Sequence, residues 1–215
     1  MHRTRSGGWL SWIVAAGIGA GALAGPCPLS ARDPQLGGEA ELRKPVTPGY
    51  KAGGPLQLLF REYRVTGPGV DRPGEGCYLV CTYSTRPVVM VYTREITAPV
   101  LRLIRKLDEA TATHRKERLG SYAVLVCAKH GRDKELKALA EKEKIRHTLL
   151  SLVVLDDTEM KRFQYKFGAE AEATVILATG QRRVKACYAF RKGELKDRDV
   201  ARILADLPRI FPAKD

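Results

Sequence analysis

The segment from Pro87 to Ala112 constrains the fold of this 215-residue chain more than any other part of the sequence. It begins with an apolar run, Pro-Val-Val-Met-Val-Tyr, which a Thr-Arg-Glu-Ile-Thr-Ala-Pro turn separates from a long amphipathic stretch. Apolar side chains recur in that stretch at helical spacing, at Val100, Leu103, Ile104 and Leu107. A strand without polar alternation is typical of one covered on both faces. The segment therefore predicts a βα unit in the interior of an α/β sheet.

The rest of the sequence predicts further strands and helices on both sides of this unit. Strands are indicated by apolar or alternating runs at Leu56–Val65, Cys77–Tyr83, Ser121–Ala128, Leu149–Leu155, Thr174–Ala178 and Val184–Phe190. Helices are indicated at Asp133–Ile145, after the capping pair Asp156-Asp157, and in a last segment with Val200, Ile203, Leu204 and Leu207 on one side. The last two strands are predicted to form a hairpin around Gly180-Gln181. The order from Arg86 onward is therefore β-α-β-α-β-α followed by β-β-α.

The first 24 residues have the pattern of an export signal. A short basic segment precedes an uncharged run from Trp9 to Ala24, which ends in Ala22-Leu23-Ala24, a cleavage motif of the A-x-A type. The run is shorter than the roughly 20 apolar residues that a spanning helix needs. We predict a signal peptide over residues 1–24 and an exported protein, in the periplasm, the cell envelope or the medium. The alternative is an uncleaved membrane anchor formed by residues 9–24, and membrane contact is expected only through this segment.

Residues 25–55 are rich in proline, glycine and charge and lack apolar periodicity, so we predict a flexible linker there. Residues 56–215 are then left for a single domain. The hydrophobic content of 44% is enough for a packed core.

Two local motifs resemble the thioredoxin-like superfamily. Phe167-Gly-Ala-Glu-Ala-Glu-Ala-Thr-Val-Ile-Leu is similar to the segment that leads into the family's cis-proline strand, usually Tyr-Gly-x-x-x-x-Pro-Thr. Val91-Tyr-Thr-Arg-Glu-Ile-Thr-Ala-Pro-Val is similar to the strand-to-helix turn that carries Trp-Cys-Gly-Pro-Cys in the family. The resemblance covers about residues 86–207. It implies a three-layer α/β fold, a central mixed sheet flanked by helices, with an extra N-terminal β-hairpin as in exported thioredoxin-like and peroxiredoxin-like proteins.

The sequence departs from the family at the positions that carry its chemistry. Thr97 stands where the resemblance places the nucleophilic cysteine, Pro99 is retained, and Val100 replaces the resolving cysteine. Ala173 occupies the cis-proline position. The peroxiredoxin turn, Pro-x-x-x-Thr-x-x-Cys, likewise ends in Val100. Thiol–disulfide exchange requires a thiolate and a second sulfur to resolve the mixed disulfide, so the resemblance implies a redox-silent turn.

Five cysteines remain to be explained, an odd number for an exported chain. Cys127 and Cys187 lie among apolar residues and are expected to be small buried side chains. Cys77 and Cys81 are the candidate redox pair. On an extended strand they would lie about 13 Å apart, beyond the roughly 7 Å limit for a disulfide, so a bond between them requires a bent segment. Structural thiols, a static disulfide and a relocated redox pair all remain open.

No other motif indicates a cofactor or a metal. His114, His130 and His147 lack ligand spacing, and the sequence contains no haem-attachment motif, phosphate loop or nucleophile elbow. We therefore predict neither a cofactor nor a metal site. Arg94-Glu95, on the family's active-site turn, could order a ligand, but we interpret it as a solvated or salt-bridged loop pair.

The chain is strongly basic. Its formal net charge is +13, and removal of Arg3 and Arg5 with the leader would lower it by two. Such a charge attracts anionic partners, and export argues against nucleic acid. We predict a non-catalytic, exported thioredoxin-like module that recognises a partner protein or an anionic envelope polymer. The alternative is a thiol-dependent oxidoreductase or peroxiredoxin-like protein that uses Cys77 and Cys81.

Overall fold

The computed structural model describes residue 46 and residues 49–56, 61–76, 85–128 and 131–212. All of these residues belong to one compact unit, which spans Arg43–Asp215.

Seven strands and four helices make up the described chain. The strands are β1 (Tyr63–Thr66), β2 (Gly74–Glu75), β3 (Val88–Thr93), β4 (Gly120–Cys127), β5 (Thr148–Val154), β6 (Ala173–Ala178) and β7 (Val184–Phe190). The helices are α1 (Ala98–Thr113), α2 (Asp133–Glu143), α3 (Asp157–Phe167) and α4 (Asp197–Ala205), and a 3₁₀ turn over Leu207–Ile210 follows α4.

The strands form one mixed sheet in the order β2-β1-β5-β4-β3-β6-β7. The three central strands, β5, β4 and β3, are parallel, and each adjacent pair is connected through a helix. β6 and β7 add an antiparallel hairpin on one side, and β1 and β2 add antiparallel strands on the other. Every residue of β3 and β4 is buried, as their continuous apolar composition predicts.

Apolar side chains fill both faces of the sheet. Helices α1, α2 and α4 cover one face, on which Val100, Leu103, Ile104 and Leu107 of α1 are almost completely buried. Each of these side chains contributes about 1.5–3 kcal/mol through burial, which fixes α1 against β3. The other face is covered by α3, whose Phe163 and Phe167 lie against Tyr92 of β3.

The elements expected from the sequence are largely confirmed, and their ends differ. Asp156 caps α3 as expected. Its carboxylate accepts from the backbone N–H of Glu159, and the Glu159 side chain accepts from the backbone N–H of Asp156. The first strand was predicted from Leu56, but it begins at Tyr63, and Arg61 and Glu62 lie outside the ladder. Leu207 lies in the 3₁₀ turn rather than in the last helix.

The start of the packed chain also differs from the sequence pattern. Tyr50 lies in the segment that composition assigns to the linker, yet its ring is buried and contacts Phe167 edge-on. Backbone hydrogen bonds hold the same stretch against the sheet, because the N–H of Gly53 donates to Val184 and that of Leu56 donates to Arg182. A tyrosine ring buries a large apolar area, and this outweighs the glycine and proline around it. In the described residues no helix is long and apolar enough to cross a membrane.

Candidate functional site

The turn between β3 and α1 lies at the carboxyl edge of the parallel strands. α1 begins at Ala98, and Thr97 takes the N-cap position with extended backbone angles. The Thr97 side chain makes no capping hydrogen bond, and the first turn of α1 contains no acidic residue. Pro99 follows in that first turn, where its missing N–H costs nothing. The hydroxyl of Thr97 therefore stands where the thioredoxin-like resemblance places a nucleophile.

The structure brings together the four positions that the resemblance singles out. Thr93 pairs with Ala173 in the antiparallel β3–β6 ladder, which sets Ala173 beside the turn. Thr97, Pro99, Val100 and Ala173 all line one cavity of about 10 Å³. That volume is close to the minimum that a single water molecule requires.

Hydrogen bonds fix the backbone of the turn. The hydroxyl of Thr93 lies 2.6 Å from the carbonyl oxygen of Glu95 and 3.1 Å from that of Glu172, and it can donate to either. The backbone N–H of Arg94 also donates to the Glu172 carbonyl, at 3.1 Å. The Arg94 side chain donates from Nη2 to the carbonyl oxygen of Ala169 at 3.0 Å. The turn is thereby tied to the chain that enters β6.

The loop after β7 closes over the same turn. Lys192 pairs with Glu95 at 3.2 Å, and Arg191 pairs with Glu170 at 2.6 Å. Glu95 therefore forms its salt bridge with Lys192 and not with the neighbouring Arg94. Phe190, Arg191, Gly193 and Leu195 complete the lining of the small cavity.

Two polar atoms beside the turn are buried without a hydrogen-bond partner among the described residues. They are Nε of Arg94 and Oε1 of Glu172. The guanidinium of Arg94 also lies over the ring of Phe163, 5.9 Å from its centre. Both atoms lie beside the turn but are closed off from solvent.

The candidate redox residues Cys77 and Cys81 lie outside the described residues. Cys127 and Cys187 are free thiols on opposite faces of the sheet, so they do not pair with each other. Burial raises the pKa of Cys187 to about 12. Burial also raises the pKa of Cys127, although the nearby Arg132 acts in the opposite direction. Cys127 is buried as expected, whereas Cys187 is only half-buried, and neither is an activated thiol.

The histidines do not form a metal site with the residues described. Nδ1 of His114 lies 3.6 Å from Oε2 of Glu117, and the His114 ring packs against Phe211. His147 lies elsewhere, at the amino edge of the sheet. His130 is outside the described residues. Within the part of the chain that the structure describes, no cluster of three or more histidine, cysteine or carboxylate side chains is suited to a metal ion.

Two features with ionisable groups are not indicated by any motif in the sequence. Glu62 is only 4% exposed, and its carboxylate accepts a 3.0 Å hydrogen bond from the Ser151 hydroxyl. Burial raises the pKa of Glu62 to about 8. The second feature is a cleft of about 270 Å³ at the amino edge of the central strands, with three arginines in its lining. Only the loop beginning at His114 stands out in the sequence as locally basic.

No protein family model matches the sequence, and no curated protein matches it significantly. Solved structures resemble the chain over most of its length. A yeast mitochondrial 1-Cys peroxiredoxin aligns with a TM-score of 0.54 and 10% identity, over 74% of this chain and 77% of that one. PrxQ from Xylella fastidiosa aligns with a TM-score of 0.51 and 11% identity, over 74% and 96% of the two chains. The thioredoxin domain of a thiol-disulfide oxidoreductase from Bacteroides vulgatus aligns with a TM-score of 0.50 and 11% identity, over 73% of this chain and 97% of that one.

At such low identity these similarities establish the fold alone. The chain has the thioredoxin-like α/β fold, in which a mixed sheet lies between layers of helices and β1 and β2 are extra N-terminal strands. In this fold, Thr97 is the N-cap residue of α1 and Val100 lies in its first turn, and no cysteine pair is present among the described residues.

Proposed function

We propose that this protein is an exported thioredoxin-like module that acts by binding and carries out no thiol–disulfide exchange at the β3–α1 turn. The observation that carries the proposal is that Thr97 and Val100 stand at the two positions where the family has cysteines. Both residues line a cavity of only about 10 Å³. Neither position holds a sulfur that could take part in thiol–disulfide exchange.

The chemistry of the two side chains supports this proposal. A threonine hydroxyl neither ionises near neutral pH nor forms a reversible bond to sulfur, so Thr97 cannot attack a disulfide. Val100 is only 1% exposed and packs in the core beneath the turn. These residues complete the fold and supply no redox chemistry.

The surroundings of the turn support recognition as the remaining use of this edge. The ion pair between Glu95 and Lys192 lies on the surface, and the guanidinium of Arg94 is only partly buried. Exposed salt bridges of this kind are worth at most about 1 kcal/mol, so an incoming group can exchange with them at little cost.

The charge of the chain indicates an anionic partner. A net charge of +13 favours association with an acidic protein or an anionic polymer of the cell envelope through long-range attraction. Export through residues 1–24, or anchoring through residues 9–24, would place the domain where such partners occur. Nucleic acid is not expected there.

The test is thiol trapping with peptide mass spectrometry on the mature protein, before and after oxidised glutathione or peroxide and again after a reductant. We expect every thiol to keep its state, or a disulfide that resists mild reductant. Reversible oxidation confined to Cys77 and Cys81, and lost in Cys77→Ser or Cys81→Ser, would replace this proposal with the thiol oxidoreductase alternative. Cys187→Ser is the matched control, because that thiol is half-buried and its pKa is raised.

A further inference from the structure

The cleft at the amino edge of the sheet is formed by segments that are distant in sequence. Arg86 precedes β3, Gly120 begins β4, and His147 immediately precedes β5, so the parallel arrangement of the three strands brings these residues to one edge. Arg115 and Arg118 join them from the loop after α1. This edge is opposite the β3–α1 turn. The cleft is therefore separate from the candidate site described above.

The cleft is basic in its lining and in its immediate surroundings. Its basic lining residues are Arg86, Arg115, Arg118 and His147, and in the part of the chain that the structure describes no carboxylate lines it. Among the described residues, neither Arg115 nor Arg118 forms an ion pair, and both are exposed. The nearest acidic residue in sequence, Glu117, is engaged with His114.

Some other surface arginines are paired with carboxylates. Each of five lies within 4 Å of a carboxylate, in the pairs Arg102–Asp197, Arg105–Glu143, Arg132–Glu135, Arg191–Glu170 and Arg209–Asp206. Their charge is neutralised within the protein. Arg115 and Arg118 have no such partner among the described residues; exposed arginines such as Arg182 and Arg198 share that property, but only Arg115 and Arg118 of these four line the cleft.

The backbone of the loop holds Arg115 and Arg118 close together. Arg118 has a φ of 57°, in the left-handed region that favours glycine or asparagine. An arginine there costs about 1 kcal/mol relative to glycine. The turn is closed by a 3.1 Å hydrogen bond from the N–H of Arg118 to the carbonyl of Arg115, which holds both residues at the cleft.

The floor of the cleft is rigid. The carboxylate of Asp108 accepts the backbone N–H of His147 at 2.6 Å and that of Thr148 at 2.7 Å. The hydroxyl of Ser121 lies 2.7 Å from that of Thr111 and 2.8 Å from that of Thr148, which forms a buried hydrogen-bonded chain. These bonds join α1, β4 and β5 directly beneath the basic side chains, so the cleft is preformed.

We propose that this cleft binds an oxyanion of the phosphate class. A guanidinium presents five N–H donors in a planar fork that matches the oxygens of phosphate, and hydrogen bonds between charged groups are about twice as strong as neutral ones. Several guanidinium groups around one cleft suit a ligand with two or more negative charges better than a single carboxylate. The proposal deepens the binding role proposed above and rests on it for its biological meaning.

Binding is tested by calorimetric titration of the mature protein with pyrophosphate at low ionic strength. We expect saturable binding in the wild type and a loss of affinity of about tenfold or more in R115Q/R118Q, because two charge-assisted contacts are removed. The control is R182Q/R198Q, which makes the same change in net charge at two exposed arginines that do not line the cleft. No saturable binding in the wild type, or an equal loss in both variants, would overturn the proposal.

A pair of glycine variants separates binding from folding. Arg182 has a φ of 58°, nearly that of Arg118, so R118G and R182G relieve the same backbone strain and remove the same charge. We expect both variants to unfold at or above the wild-type temperature and only R118G to bind pyrophosphate more weakly. If R118G binds as tightly as R182G, Arg118 does not contact the ligand.

Vesicles identify the source of the phosphate. A lipid headgroup would be identified if the protein binds phosphatidylglycerol vesicles but not phosphatidylcholine vesicles. Pyrophosphate should then compete with the vesicles, and R115Q/R118Q should not bind them. Pyrophosphate binding without vesicle binding would identify a small phosphorylated ligand, and either result supports the cleft. A redox-active Cys77–Cys81 pair would overturn the proposed function and leave these results unchanged. Failure to bind pyrophosphate would overturn the cleft and leave the redox-silent turn intact.

Discussion

The hydroxyl of Ser151 donates a 3.0 Å hydrogen bond to the carboxylate of Glu62, between β5 and the residue that precedes β1. Glu62 is buried on the face of the sheet that α3 covers. Burial raises its pKa from an ordinary value of 4.5 to about 8, against the opposing effects of the Ser151 hydroxyl and the charge of Arg64. The side chain therefore holds its proton at neutral pH in the folded protein.

This shifted pKa predicts that the free energy of unfolding falls as pH rises from about 5 to 8. In that range native Glu62 keeps its proton while the unfolded state releases it, so the native state binds more protons and raising the pH favours unfolding. The slope approaches 1.4 kcal/mol per pH unit at most. The free energy of unfolding of E62Q, measured relative to that of the wild type, should therefore rise by about 3 kcal/mol between pH 5 and pH 8.

Urea unfolding of both proteins at several pH values measures the difference. E75Q is the matched control, because Glu75 lies on neighbouring β2 and is exposed. Its difference from the wild type should stay constant with pH. A constant difference for E62Q as well would show that Glu62 is ionised in the native protein.

Asp108 predicts a second effect on stability. Its Oδ1 accepts the backbone N–H groups of Arg146, His147 and Thr148 at 3.1, 2.6 and 2.7 Å. D108A leaves these donors without their acceptor, and we expect it to lower the free energy of unfolding by about 3 kcal/mol or more. D108N keeps one oxygen acceptor and should cost roughly 1 kcal/mol.

The same urea experiment, at one pH, tests the Asp108 prediction. D157N, at an exposed first-turn position of α3, removes the same charge without breaking a contact between elements. It should change stability by less than about 0.5 kcal/mol. If D108A also changes the free energy of unfolding by less than about 0.5 kcal/mol, the start of β5 does not depend on the Asp108 carboxylate.

Sequence reasoning succeeded where burial and periodicity decide the structure. The apolar run before Thr93 and the helical spacing from Val100 to Leu107 are properties of the chain itself, so β3 and α1 could be predicted. The order of elements then constrained the topology, including the hairpin of β6 and β7.

The features that sequence reasoning missed depend on contacts between distant segments. Asp108 has the sequence pattern of an exposed helical acid, and only the arrival of residues 146–148 makes it a buried acceptor. Glu62 is buried because Ser151 lies opposite β1. The basic cleft combines Arg86, Arg118 and His147, whose spacing in sequence has no periodicity. The turn at Thr97 could be located because its residues are consecutive.

The free thiols predict slow alkylation of the native protein. Burial raises the pKa of Cys187 to about 12 and also raises that of Cys127, so almost no thiolate forms at either site at neutral pH. We expect iodoacetamide to modify both only after unfolding in urea, as followed by peptide mass spectrometry. A128C and K185C place exposed thiols one and two residues away and should react rapidly in the native protein. Equal rates for Cys127 and A128C would contradict the burial of this thiol.

Restoring the two sulfurs tests whether the turn retains the geometry for redox chemistry. Positions 97 and 100 are three residues apart at the start of α1, where Cβ atoms lie about 5–6 Å apart before rotamer adjustment and an i,i+3 pair can be bridged with small backbone shifts. The amino end of a helix lowers the pKa of a thiol. We therefore expect T97C/V100C to form an internal disulfide with oxidised glutathione and to be reduced again by mild reductant.

Peptide mapping after treatment with oxidised glutathione compares the disulfides formed in T97C/V100C with those formed in T97C alone. The single variant should stop at a mixed disulfide with glutathione, because no second sulfur is available to resolve it. Since Ala173 stands at the cis-proline position, we expect the double variant to reduce protein disulfides more slowly than glutathione disulfide. If both engineered thiols stay reduced in T97C/V100C, the loss of redox chemistry extends beyond Thr97 and Val100 to the closed cavity and the loop that carries Lys192.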